Sequence, residues 1–362
     1  MKTILFKLTL FALIAAPLTV MGNGGKLNGK YTKEKTIQKE YEVNATALLK
    51  VNNSYGTLSL TSWDQDRVVI EVHIKTSGNN EDKVQERLND ITVDFEANEN
   101  MVSAKTKFGN KSSSWWKWGK NNKVSMQVNY TIKLPVKNSV HLSNDYGAIE
   151  LDRIDGHAKI SCDYGRLEIG ELRGRNNELR FDYTSKSRID YVNSARIMAD
   201  YSKFTIGKAN NLQINADYTS SVIESMENLE YSADYGALEV MEVNNVLGNG
   251  DYVSVKLGTV HGNVDINADY GTIKIDNMAA DAGNVNIQTD YTGIQLGYDP
   301  DYAFDFEITA ENTGVRGIED FEINISREKD SDRYYAGYYG QSNSGKLINI
   351  TSEYGRITFN RN

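Results

Sequence analysis

The stretch Val264-Asp265-Ile266-Asn267-Ala268-Asp269-Tyr270-Gly271-Thr272-Ile273-Lys274-Ile275 decides how this chain folds. Up to Tyr270, apolar and polar residues alternate with the two-residue period of a half-buried strand. After Gly271 the apolar set, Ile273 and Ile275, has the opposite parity. A one-residue shift turns every side chain to the other face, so a straight strand cannot keep both sets inside. The chain must turn at Gly271-Thr272, and glycine tolerates the backbone angles of a tight corner. On this parity Tyr270 points inward beside Ala268.

The same phrase recurs at Asp145-Tyr146, Asp163-Tyr164, Asp182-Tyr183, Asp200-Tyr201, Asp217-Tyr218, Asp234-Tyr235, Asp251-Tyr252, Asp269-Tyr270 and Asp290-Tyr291. Weaker copies stand at Ser54-Tyr55-Gly56 and Glu353-Tyr354-Gly355. From Tyr146 to Tyr291 the tyrosines are 17 to 21 residues apart, the mark of a repeat architecture. Each unit reads as strand, corner, strand, loop, and stacked units bury one continuous core. The expected fold is all-β: a parallel β-helix or solenoid of about 17–19-residue coils. At roughly 4.8 Å per layer it makes a rod about 45–55 Å long. Lys186 and Ser221 stand where Ile or Leu is expected, and Val222 and Ile223 suggest a slip in the second case.

Composition narrows the function. Residues 1–22 carry Lys2 and Lys7 and then an apolar run from Leu8 to Val20, the pattern of a signal peptide and too short to span a membrane. The chain is therefore expected to be exported, to the periplasm, the outer surface or the medium. One cysteine excludes an internal disulfide framework, and a formal charge of −9 argues against nucleic acid. No transmembrane helix is expected in the mature chain.

Residues 23–35 read as a flexible leader, 36–140 as an N-terminal region holding the first corner, and 141–362 as the solenoid with a C-terminal insertion. In 36–140, alternating runs at Val68–Ile74, Ile91–Phe95, Val102–Ala104 and Val124–Leu134 predict a mostly antiparallel cap. Val84, Leu88 and Ile91 fall at helical spacing after Asn79 or Asn80, which predicts one short helix. Residues 327–346 read as a polar and aromatic loop.

With "SWDQDRVVIEV" at 62–72, "YTIKLPVKNSVHLSNDYGAIEL" at 130–151 and the serial Asp-Tyr corners, the chain resembles the putative adhesin family of bacterial envelope proteins over about residues 40–360. That resemblance implies export, an elongated β-solenoid domain of unknown function and no established enzyme activity.

The candidate residues fall into three groups. The aspartate and tyrosine columns form a structural ladder: the carboxylates are expected to cap their own corners as Asx-type turns, with a cation ladder as the sharper alternative. The tyrosines are expected to be core, a glycan-facing stack being the alternative. Trp115, Trp116 and Trp118, with Tyr334, Tyr335, Tyr338 and Tyr339, are aromatic clusters off the repeats and the first choice for recognition. Cys162, by parity an inward residue, reads as a small buried hydrophobe. The four histidines show no ligand spacing, and no metal, cofactor or catalytic set is expected.

These readings point to a non-enzymatic, adhesin-like structural or partner-binding module of the cell envelope, its partner a cell-surface glycan or an envelope protein. The alternative is a glycan-active lyase or hydrolase on a parallel β-helix. Its carboxylates cannot be chosen from sequence, and the lean coils leave little loop to build a groove.

Overall fold

The structure, a computed structural model, describes residues 29–109 and 123–362. The fold is all-β. Among the described residues 27 strands form a single mixed sheet with both parallel and antiparallel neighbours, accompanied by one helix. The signal segment at 1–22 lies outside the described residues.

Antiparallel pairing opens the first described stretch. Tyr31–Glu42 runs against Arg67–Gly78 along its full length, and Arg67–Gly78 runs against Ser125–Pro135 on its other side. Ile91–Asn98 and Met101–Phe108 form a hairpin. The helix spans Glu81–Asp90; the Asn80 side chain caps it by accepting from Lys83 N–H at 3.1 Å, and Val84 and Leu88 bury its apolar side. Leu48–Ser54 pairs in parallel with Met101–Phe108 on one side and with Ser139–Asp145 on the other, so the opening region runs on into the Asp-Tyr layers.

From Ser139 to Tyr298 the ladders are parallel and form two series. In one, Ser139–Asp145, Ala158–Asp163 and Asn177–Asp182 lie side by side with their aspartates in register. In the other, Leu58–Trp63, Ala148–Ile154 and Arg166–Leu172 do the same. Strand alternation sorts the side chains. Val264–Asp269 buries Val264, Ile266 and Ala268, while Thr272–Met278 buries Ile273, Ile275 and Met278. Residues of both series join one core cluster, each large aliphatic side chain contributing about 1.5–3 kcal/mol.

The corner departs from expectation. All eleven corner tyrosines have φ between 50° and 65°, in the left-handed region. The parity flip therefore happens at the tyrosine, one residue before the glycine, and carries the ring out of the core. Tyr270 is 49% exposed instead of packed beside Ala268. The glycines serve close approach, not the turn angle. A Cβ on Gly165 would lie 1.9 Å from the Gly147 carbonyl oxygen, and one on Gly271 2.2 Å from that of Val253. The residues flanking Asp-Tyr also share the space inside the corner. Asn144 and Cys162 precede Gly147 and Gly165, whereas Ala199 and Ala216 precede Ser202 and Thr219, and Gly250 precedes Val253.

Two irregularities are redistributed. Lys186 takes the left-handed conformation, φ 58°, so the slip in that layer falls there. At Ser221 the pairing with Phe204 and Leu238 is regular, and the expected slip is absent.

The C-terminal end is not stacked in sequence order. Leu347–Glu353 is inserted between Val285–Asp290 and Phe304–Glu311. The outermost corner is then Glu311-Asn312-Thr313, with Asn312 left-handed at φ 48°. Asp332–Tyr339, expected within a loop, is a strand, antiparallel to both Phe304–Glu311 and Glu322–Lys329.

Candidate functional site

Two long surface features run along the parallel layers. The first is a ridge of stacked tyrosines. From Tyr55 to Tyr354, ten successive ring pairs have centroids 4.8–5.2 Å apart and planes within 1–10° of each other, about 50 Å end to end. Ten of the rings are 46–53% exposed. At one end Phe108 packs edge-on against Tyr55, at 5.7 Å and 88°. At the other, Asn312 continues the left-handed column without a ring. Each left-handed tyrosine costs on the order of 1–3 kcal/mol, and each stacked pair returns about 0.5–1.5 kcal/mol.

Backbone clamps add to that return. Each corner tyrosine N–H donates to the carbonyl of the next layer's acidic residue, as from Tyr235 to Asp251 at 3.0 Å and from Tyr354 to Glu311 at 3.0 Å. In the reverse direction, the backbone N–H of an aspartate donates to the Oδ1 of the aspartate one layer back. The Asp234 N–H reaches Asp217 at 3.0 Å, Asp251 reaches Asp234 at 3.1 Å and Asp290 reaches Asp269 at 2.8 Å. The carboxylates thus accept from the neighbouring layer, where the sequence suggested an Asx turn within each corner. Burial, and the Asp163 charge after it, raise the Asp145 carboxyl above its ordinary range. Burial likewise raises the phenols of Tyr183, Tyr218 and Tyr291, with the neighbouring rings adding to the shift.

The second feature is an open groove of about 940 Å³ on the strands that lead into the corners. One rim is a carboxamide ladder: Asn228 donates to Asn211 and Asn245 to Asn228, each at 2.9 Å, and Asn263 donates to Asn245 at 3.2 Å. A carboxamide has two N–H donors and two acceptor lone pairs. Asn228 therefore keeps one of each after its two ladder bonds. Beside the rim, Arg196 donates to Gln213 at 2.8 Å and Gln213 to Glu230 at 3.0 Å. Met198 and Leu247, 40% and 53% exposed, break the polar lining. Glu178 accepts from Lys159 at 2.6 Å, a bond that holds its carboxyl below the ordinary range. That direction suits a charged anchor better than a general acid.

The other candidates separate. Trp115, Trp116 and Trp118 lie outside the described residues. Tyr335 and Tyr339 are not on a recognition loop: as strand residues of one parity they turn to the core, and Tyr339 packs against Tyr298 at 5.0 Å and Phe304 at 5.5 Å. Tyr334 and Tyr338, of the other parity, are half-buried. Cys162 is fully buried, and burial pushes its thiol up to about 12. Among the described residues no three His, Cys, Asp or Glu side chains converge on a metal-sized site, and no helix is long and apolar enough to cross a membrane. Sequence reasoning missed the amide groove. Its signal was present, as asparagines recur at 211, 228, 245 and 263 with nearly the spacing of the tyrosines.

No family model matches the chain, and no curated protein matches it in sequence. Among solved structures, it is similar to a putative cell adhesion protein from Clostridium sporogenes ATCC 15579, at 12% identity and a TM-score of 0.20, covering 91% of this chain and 100% of that one. A putative adhesin from Parabacteroides merdae ATCC 43184 matches at 11% and 0.35, covering 73% and 92%. A putative lipid binding protein from Parabacteroides distasonis ATCC 8503 matches at 8% and 0.28, covering 90% and 96%.

Proposed function

We propose that this chain is an exported, non-enzymatic β-solenoid of the bacterial cell envelope, an adhesin-like module that holds a glycan strand in the amide groove. In this reading residues 1–22 are removed on export, 36–140 cap the rod and 141–362 form it. The observation that carries the proposal is the groove of about 940 Å³ beside the carboxamide ladder. Its rim repeats every layer, about 4.8 Å, and presents spare donors and acceptors to a polymer of hydroxyl groups. Glu178, Glu230 and Asp265 in the lining favour a neutral or amino-bearing glycan over an acidic one.

Calorimetric titration of the mature chain with neutral, amino-bearing and acidic oligosaccharides tests this. Binding of the first two, lost in Asn211→Leu/Asn228→Leu with an unchanged melting temperature, supports it. Binding kept in that variant but lost in Trp115→Ala/Trp116→Ala/Trp118→Ala moves recognition to the tryptophan loop. Turnover of any oligosaccharide overturns the non-enzymatic reading.

A further inference from the structure

The tyrosine ridge plays no part in that function, and its size calls for another. Contiguous apolar patches above a few hundred Å² on a soluble protein mark interaction sites, above all when rimmed by polar groups. The stack also dictates what can bind. With neighbouring planes within 10° and centroids about 5 Å apart, the ring faces cover one another, and edges and phenol groups point outward. A saccharide or a single cation, which seeks the negative face of a ring, finds no face there. The row of ring edges instead forms a ribbed, partly apolar track along which a flat, extended aromatic system can bury its face over several rings.

Charge narrows the class further. Along Tyr218–Tyr291 one flank of the ridge is the aspartate column, in which Asp217, Asp234 and Asp269 spend Oδ1 on a backbone N–H. Asp234 is exposed and Asp217 and Asp269 are half-buried, so their negative charge borders the ridge at the surface. The other flank carries the small residues Ser220, Ala237, Ser254, Thr272 and Gly293. Two residues further on, Lys256 and Lys274 are paired with Glu239 at 2.7 Å and Asp276 at 2.6 Å. The segment is therefore low on one side and negative on the other. Toward the N-terminal end Arg166 and Lys203 occupy the small-residue column instead.

We propose that the ridge from Tyr218 to Tyr291 binds flat, extended aromatic cations, lying lengthwise on the ring edges with their charge toward the aspartates. The site is separate from the amide groove and does not depend on the glycan reading.

The test uses thioflavin T, a flat benzothiazolium cation, with its uncharged benzothiazole analogue and an anionic flat dye. Equilibrium dialysis of the mature chain should show saturable binding of the cation, weaker binding of the neutral compound and the least of the anion. Added salt should weaken the cation alone. Tyr235→Ala/Tyr252→Ala should weaken the cation about tenfold. Tyr235→Phe/Tyr252→Phe, which keeps the ring edges and the stack, should bind as the parent does and guards against a folding artefact. Asp234→Asn/Asp251→Asn should bring the cation down to the affinity of the neutral analogue. Asn211→Leu/Asn228→Leu should bind dye normally, so a failed glycan site leaves this result readable. Equal affinity for cation and neutral compound, or full binding by the alanine variant, overturns the proposal.

Discussion

At the tyrosine edge, identical side chains stack ring on ring with centroids 4.8–5.2 Å apart. At the asparagine edge, identical side chains hand a hydrogen bond from layer to layer at 2.9–3.2 Å. Both columns repeat one residue at the spacing of a parallel ladder, and both work because that residue attracts a copy of itself. Aspartate does not. A bare row of carboxylates 5 Å apart costs roughly 0.8 kcal/mol per neighbouring pair even in water. That column survives because a backbone N–H stands between successive charges, as between Asp217 and Asp234. The edges differ in what positions them: left-handed backbone and backbone clamps at the tyrosines, movable side chains at the asparagines.

Alanine at the tight glycines breaks this comparison most strongly. Gly165→Ala drives a methyl against the Gly147 carbonyl, which is backbone and cannot yield, and should cost about 3 kcal/mol. Gly283→Ala meets mainly the Asn263 Oδ1, 2.3 Å from the new Cβ, and should cost about one hydrogen bond, ~1 kcal/mol. Gly293→Ala meets nothing within 4 Å and should be neutral or slightly stabilising. Thermal melting of the three variants reads the order, and equal shifts for Gly165 and Gly283 would remove the distinction between the edges.

Next in size is the ring itself. Tyr235→Ala loses two stacked neighbours and keeps the left-handed strain, so it should destabilise by about 1–3 kcal/mol. Tyr235→Gly loses the same stacks but relieves the strain and should melt above the alanine variant. If alanine proves the more stable of the two, the positive φ is not the cost supposed here.

The smallest effect is in pH. The raised Asp145 carboxyl contributes stability that is present below the ordinary aspartate range and is lost as pH rises through its folded value. Asp155, held low by its hydrogen bond from Arg153, does the reverse: its contribution is present above that range and lost as pH falls. Relative to the parent, Asp145→Asn should therefore gain in melting temperature between pH 3 and 7, and Asp155→Asn should lose. Parallel pH profiles for the two variants would contradict this assignment.

The alternation of Val264, Ile266 and Ala268, the opposite parity of Ile273 and Ile275, and the steady spacing of the Asp-Tyr pairs were enough, without coordinates, to determine strands broken by corners, with the aliphatic residues inside. Burial of Cys162 and the helix after Asn80 could be read in the same way. These features are local, and a side-chain pattern records them directly. The direction of the tyrosines was decided by the tertiary structure. Parity counting assumes extended backbone up to the glycine, and a left-handed tyrosine leaves the hydrophobic pattern unchanged while reversing where the ring points. The insertion of Leu347–Glu353 beside Val285–Asp290, and the corner at Asn312, also required the fold. Side-chain alternation records which face of a strand is buried and not which strand it pairs with, and asparagine can hold the left-handed corner without the ring that makes the others recognisable.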